Sequence, residues 1–135
     1  MTNTLQLEIV TPEATVYSEA VEMVTLPAVE GQMGVLPFHV RLVTQLVPGE
    51  LIVRKGGHED FLAVGEGLVE VTNDRVSIVT NMAVAIENID EAAAEQARER
   101  AAARLKEKLS SEEVASVNAS LARSLAQLHV KRRQH

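Results

Sequence analysis

The chain changes character once, at Asn88, and that break limits the folds open to it more than any other feature. Upstream, short alternating or β-branched runs are separated by Gly, Pro and Asn-Asp turn signals, and no helical periodicity occurs before residue 87. Downstream, EAAAEQARERAAARLKEKL is built from the best helix formers and holds neither Gly nor Pro. The expected fold is therefore α+β: an antiparallel β-sandwich or barrel of about ten short strands over residues 1–87, then an antiparallel two-helix hairpin over 88–135. Charge divides at nearly the same place. Residues 1–89 carry 4 basic and 12 acidic side chains, a balance of −8, and residues 90–135 carry 9 and 7, a balance of +2. Two halves of opposite sign suggest two different partners.

Within the first half, Leu5, Leu7 and Ile9 alternate with Gln6 and Glu8, as in a half-buried strand. Thr11-Pro12-Glu13 turns the chain. Thr15 to Tyr17 and Val21 to Leu26 are further runs, with Pro27 expected to close the second. Val47-Pro48-Gly49-Glu50 is a turn. Gly56-Gly57 between Leu51-Ile52-Val53 and Phe61-Leu62-Ala63-Val64 is hairpin chemistry, since both glycines accept positive φ. Asn73-Asp74 predicts a second hairpin between Val69–Val71 and Val76–Ile78.

In the second half, Asn88 with Glu91 three residues on reads as a capping box. Ala94, Ala97, Ala101, Leu105 and Leu109 form one stripe. Ser110-Ser111-Glu112-Glu113 supplies a second capping box and starts a second helix, expected to run to about Val130 with Val114, Val117, Leu121, Leu125 and Leu128 as its apolar face. The small Ala side chains permit close helix approach. Both stripes are modest, so the hairpin is expected to depend on packing against the sandwich or another protein, which makes it a candidate mobile element.

The segment EGQMGVLPFHVRLVT, residues 30–44, has the strongest local shape. Gly31 and Gly34 permit positive φ or close approach, Pro37 fixes its own φ, and Leu36 before it is pushed to extended geometry. The expectation is a sharply shaped loop dropping into a buried strand, with His39 at the corner. Taken alone, such a loop is most often a β-sandwich corner without chemistry.

Several function classes drop out. Without cysteine there is no disulfide framework, thiolate zinc site or catalytic thiol. No charged-then-apolar leader follows Met1, and no apolar run approaches the ~18 residues that span a bilayer. The expectation is a soluble chain that meets a membrane only through a partner. One Tyr, two Phe and no Trp, with a net charge of −6, argue against nucleic acid. His39, His58, His129 and His135 lack metal-ligand spacing. Gly65-Glu66-Gly67 is too short for a dinucleotide fingerprint and reads as a bulge or turn. With no paired nucleophile and base, an enzyme is not expected, and no cofactor is implied. Lys131-Arg132-Arg133 fits either favourable charge at a helix C-terminus or a clamp on an acidic surface.

Glu30-Gly31-Gln32-Met33-Gly34-Val35-Leu36-Pro37-Phe38-His39, followed by Leu42-Val43-Thr44, resembles the Gly-x-x-Gly-Ile/Val-Leu-Pro-x-His loop of the epsilon subunit of bacterial F-type ATP synthase. Gly57-His58-Glu59-Asp60-Phe61, Gly67-Leu68-Val69-Glu70-Val71, Asp90-Glu91-Ala92 and Ser124-Leu125-Ala126-Gln127-Leu128 extend the resemblance over essentially the whole chain. It implies a non-catalytic rotor component, peripheral on the cytoplasmic side of the cell inner membrane. The sandwich would bind the gamma subunit and the c-ring through Glu30, Gly31, Gln32, His39 and Arg41. The hairpin would regulate hydrolysis, with Arg123, Lys131, Arg132 and Arg133 meeting acidic segments of the alpha and beta catalytic subunits. Two positions depart from the family. Arg41 stands where proline is common. Ala93 replaces the arginine of the Ile/Leu-Asp-x-x-Arg-Ala nucleotide motif, so Asp90 and Arg98 are left as a weak or absent ATP site. A different class, a sandwich ligand-binding module with a helical dimerisation tail, would need a self-associating hairpin and a small-molecule pocket, and the scarce aromatics argue against that pocket.

Overall fold

The computed structural model describes residues 3–133, so His135 lies outside the described residues. Ten strands come first: β1 (Leu5–Val10), β2 (Thr15–Val21), β3 (Met23–Ala28), β4 (Gly31–Val35), β5 (Leu42–Leu46), β6 (Gly49–Lys55), β7 (His58–Val64), β8 (Gly67–Val71), β9 (Arg75–Thr80) and β10 (Ala83–Ala85). A 3-10 turn, Ile86–Asn88, leads to helices α1 (Glu91–Arg104) and α2 (Ser111–Arg132). The strands hydrogen-bond in the order β10-β7-β6-β3-β5-β8-β9-β1-β2, with β4 on the free edge of β3. All pairs are antiparallel except β1 with β9, which run parallel. Strands β1 to β9 contribute to a single apolar cluster, with Leu7, Ile9, Val24, Leu26, Leu51, Val53 and Ile78 shut off from solvent.

Local chemistry sets the connections. Gly56 and Gly57 take φ of 60° and 82° between β6 and β7, the two positive values that a type I′ hairpin turn demands. Asn73-Asp74 joins β8 to β9, where Thr72 Oγ1 donates to Asp74 Oδ1 at 3.0 Å. Pro27 does not end β3 but sits inside it, opposite Gln32. On its other edge β6 pairs only as far as Thr25 and β5 only at Ala28. No ladder donor is needed there, while the Pro27 carbonyl still accepts from Val47 N at 2.9 Å.

The segment 30–44 is less of a loop than its glycines suggest. Residues 31–35 are strand β4, and the strand that follows is only half buried: Leu42 and Leu46 face the core while Val40 and Val43 face solvent. The helical region also differs in detail. Asn88 is used up in the 3-10 turn, closed by Ile89 N on Ile86 O, and the buried Ile89 anchors the chain after it. The cap of α1 is therefore Asp90, whose Oδ1 accepts from Ala93 N at 3.0 Å. Helix α1 stops at Arg104, because the reversal into the next cap takes residues 105–109. Ser110 and Glu113 then form the expected capping box, each accepting the other's backbone N–H at 3.2 Å.

Candidate functional site: an exposed sandwich face and a docked helix

Two surfaces hold the residues singled out from the sequence. The first runs from the β3–β4 turn to the outer face of the sheet. Val29 and Glu30 form that turn, Gly31 opens β4 at φ 121°, and Gln32 is exposed beside them. His39 and Arg41 lie beyond the other end of β4, so about 14 Å of strand separates the two groups. Between β4 and β5, Leu36, Phe38 and Val40 all point outward, Phe38 at 72% exposure and Val40 at 74%. Phe38 holds φ 68°, a left-handed conformation that costs a bulky side chain roughly 1–2 kcal/mol. Its N–H is fixed to Asn73 O at 2.7 Å, across to the β8–β9 turn. His39 is half buried, with Nδ1 donating to Val40 O at 2.7 Å. The apolar surface continues over Val43 on β5, Leu68 on β8 and Val79 opposite it on β9. A shallow recess of about 520 Å³ beside Val10 and Pro12 ends the band. Solvated sheet faces are normally polar, so this exposed apolar band stands out from an ordinary solvated face.

The second surface is the seat of α2 on β6 and β7. Ala63, Ile89 and Val130 are buried together there, flanked by Phe61, Met82, Val84 and Ile86. Polar contacts surround this small seam. Arg123 Nη1 donates to Glu66 Oε1 at 2.8 Å, Gln127 Nε2 to Met82 Sδ at 3.1 Å, and Lys131 Nζ to Ile86 O at 3.2 Å. Arg133 Nη1 pairs with Glu50, whose side chain the helix has buried. Arg132 turns the other way, onto α1, with Nε on Glu91 at 2.6 Å and Nη2 on Glu95 at 2.9 Å. In the docked state all four nominated cations are occupied within the chain itself.

Asp90 and Arg98 do not converge on a shared site. The Asp90 carboxylate caps α1, and Arg98 Nε donates to Glu95 Oε1 at 3.0 Å on its own helix. Hydrogen bonding from Arg98, then from Arg132, holds the Glu95 carboxyl below its usual range. Arg98 borders an open recess with Leu128, His129 and Arg132, but Asp90 does not line it. Among the described residues no three His, Asp or Glu side chains gather as a metal site. No helix among the described residues is long and apolar enough to cross a membrane.

Sequence reasoning passed over Glu50, Glu66 and Phe38. Each had a signal: Glu50 opens the apolar run Leu51-Ile52-Val53, Glu66 is bracketed by glycines, and Phe38 is a rare aromatic in a Pro-containing turn.

Residues 4–86 match the family described as ATP synthase, Delta/Epsilon chain, beta-sandwich domain, and residues 87–132 match its long alpha-helix domain. The ATP synthase epsilon chain of Herpetosiphon aurantiacus is 42% identical over 126 residues, covering 93% of each chain. That of Halorhodospira halophila is 41% identical over 128 residues, covering 93% of this chain and 91% of its own. Among solved structures, a chain of the Euglena gracilis mitochondrial ATP synthase, seen by cryo-EM as OSCP/F1/c-ring in rotational state 1, superposes with a TM-score of 0.75 at 29% identity, covering 89% of this chain and 76% of that one.

Proposed function

The chain belongs to the ATP synthase delta/epsilon family, and on that premise we propose how its two surfaces divide the work of a non-catalytic central-stalk subunit. The sandwich couples gamma to the c-ring. The band of Val43, Leu68 and Val79, with Phe38, His39 and Arg41 at its end, faces gamma. The group of Glu30, Gly31 and Gln32, at the far end of β4, faces the c-ring. As a peripheral subunit of that complex, the chain would lie on the cytoplasmic side of the cell inner membrane. The regulatory unit is the hairpin of residues 88–135, which moves as a body separate from the sandwich of residues 1–87.

One observation carries the regulatory half of this reading: α2 rests on the sandwich through a seam of three buried residues, Ala63, Ile89 and Val130, whereas the sandwich has a large core of its own. An attachment that small can be exchanged for another partner. When the hairpin leaves, Arg123, Lys131 and Arg133 become available to acidic segments of the catalytic subunits, and hydrolysis is impeded. The test is ATPase activity of the catalytic head reconstituted with gamma and either the full chain or residues 1–87. Severalfold higher activity with the shorter form is expected. Equal activity with both forms bound would overturn the inhibitory role.

A further inference from the structure

We propose that Glu66, held in the Gly65-Glu66-Gly67 turn, and Glu50, on the outer face of β6, form a two-point latch that keeps the hairpin docked by occupying Arg123 and Arg133. The proposal rests on the reading that the hairpin moves, and it assigns the residues that decide when.

The β7–β8 turn is shaped to receive an arginine. A Cβ on Gly67 would lie 2.0 Å from Val79 O, so the second glycine is fixed by the sheet. A Cβ on Gly65 would lie 2.2 Å from Asn81 Oδ1 and 3.4 Å from Arg123 Cγ and Cδ, so the first glycine gives the Arg123 stem a bare backbone to lie against. The acceptor between them is positioned without help from the hairpin. Thr80 Oγ1 donates to Glu66 O at 2.8 Å, Asn81 N donates to the same carbonyl at 3.3 Å, and Asn81 Nδ2 donates to Glu66 Oε1. Asn81 and Arg123 thus share one carboxylate oxygen.

Glu50 works differently. It pairs across the sheet with Ala63, on the face beneath α2, while its neighbour Leu51 points into the sandwich core. Glu50 is only 7% exposed, and it lines a recess shared by the sandwich and the α2 residues Ala126 and His129. Docking therefore supplies the pairing of this carboxylate with Arg133, the C-cap of α2. Ten residues of helix, about 15 Å, separate the two anchors, so α2 cannot pivot away while both hold.

The latch also sorts the cations. Arg132 is tied to Glu91 and Glu95 of α1 and travels with the hairpin. Undocking as a unit frees Arg123, Lys131 and Arg133, and frees Arg132 only if the two helices part as well.

The test uses the full chain, whose lack of cysteine makes an introduced thiol unique. Ala63→Cys places a thiol under α2, where it reacts with an aromatic disulfide reagent only when the hairpin lifts, and Ala126→Cys supplies a second probe from the helix side. Labelling that varies little with urea identifies local opening rather than global unfolding. Glu66→Gln is expected to speed labelling up to about fivefold, since that pair is partly solvated. Glu50→Gln is expected to speed it about tenfold or more, because Arg133 loses its charge-assisted bond to a carboxylate that is itself buried. The double reversal Glu66→Arg with Arg123→Glu should restore the slow labelling that each single reversal loses. Unchanged labelling in both Gln variants, or failure of the double reversal to rescue, would overturn the latch and leave docking to the apolar seam alone. Because the isolated chain is measured without the catalytic head, that failure is distinct from any failure of the inhibitory role.

Discussion

Val130→Ala isolates the apolar seam from the ion pairs around it. Val130 is closed to solvent against Ala63 and Ile89, and its polar neighbours on α2 bond to other groups. Removing one buried methyl, as in Ile→Val, typically costs about 0.5–1.5 kcal/mol, so removing two should cost about 1–3 kcal/mol. If the sandwich does not close over the gap, that loss falls almost entirely on docking, and the ratio of docked to undocked hairpin drops by about 5-fold to about 150-fold. Thiol labelling at Ala126→Cys in the full chain reads this ratio, and thermal unfolding of the same protein reads the sandwich. The informative comparison is Leu125→Ala. Leu125 belongs to the apolar stripe that periodicity picks out, yet it is 47% exposed. Although that change removes more atoms, its effect on labelling should be the smaller of the two. The reasoning is refuted if Leu125→Ala opens the hairpin more than Val130→Ala does. It is refuted equally if Val130→Ala lowers the sandwich's unfolding temperature by several degrees, since Val130 would then belong to the main core.

Phe38→Gly should stabilise the isolated chain in urea by about 1 kcal/mol by relieving the left-handed backbone, while weakening its affinity for gamma through loss of an exposed aromatic. Calorimetric titration of the full chain with ATP should show no micromolar binding, because Ala93 supplies no cation, Asp90 is spent on its cap and Arg98 is held by Glu95; a micromolar isotherm would refute this. Acid should loosen the hairpin before the sandwich. Among the described residues, two hairpin carboxyls are held below the ordinary carboxylate range, Glu95 chiefly by Arg98 and Glu113 chiefly by the Ser110 backbone N–H. Against these stands one in the sandwich, Glu19 on the mostly exposed strand β2, held down chiefly by Lys55. A carboxyl lowered in the folded state contributes stability that is complete above its unfolded value and is lost as pH falls through the lowered one. Helical circular dichroism should therefore decline below about pH 4 while the sheet signal persists; simultaneous loss of both would contradict it.

How much of this was legible in the sequence depended on whether a feature was local. Gly56-Gly57, Asn73-Asp74 and the Ser110–Glu113 box each determine their own geometry within a few residues, and each lies where its chemistry places it. The face of α2 is not local. A single stripe through Val114, Val117, Leu121, Leu125 and Leu128 presumes one neighbour, but α2 has two. Val117 and Leu128 turn towards α1, while Ala126 and Val130 turn towards the sandwich. Two stripes share the helix, small residues fill the second, and Leu125 is left at the rim. The cap of α1 moved for a similar reason. Asn88 and Asp90 are both competent caps, and the burial of Ile89 between them, a tertiary contact, selects Asp90.

The charge division takes on a different meaning once the docked arrangement is known. Read as composition, −8 and +2 are two surfaces awaiting two partners. In the folded chain part of that difference is consumed internally, since Glu50 and Glu66 from the acidic half are matched to Arg133 and Arg123 from the basic half. On the proposed reading, the hairpin's affinity for an acidic partner is measured against carboxylates it already holds, and only the surplus would lift it. Carrying the equilibrium from mostly docked to mostly released takes about 5.5 kcal/mol of differential binding. A seam worth a few kcal/mol at Val130 and two ion pairs of about 1 kcal/mol or somewhat more each are of that order. An acidic segment that engages Arg123, Lys131 and Arg133 together replaces the ion pairs almost one for one. The apolar seam is what such a partner cannot replace by charge alone, so once Arg123 and Arg133 have exchanged their carboxylates the contact of Val130 with Ala63 is what still holds the hairpin to the sandwich.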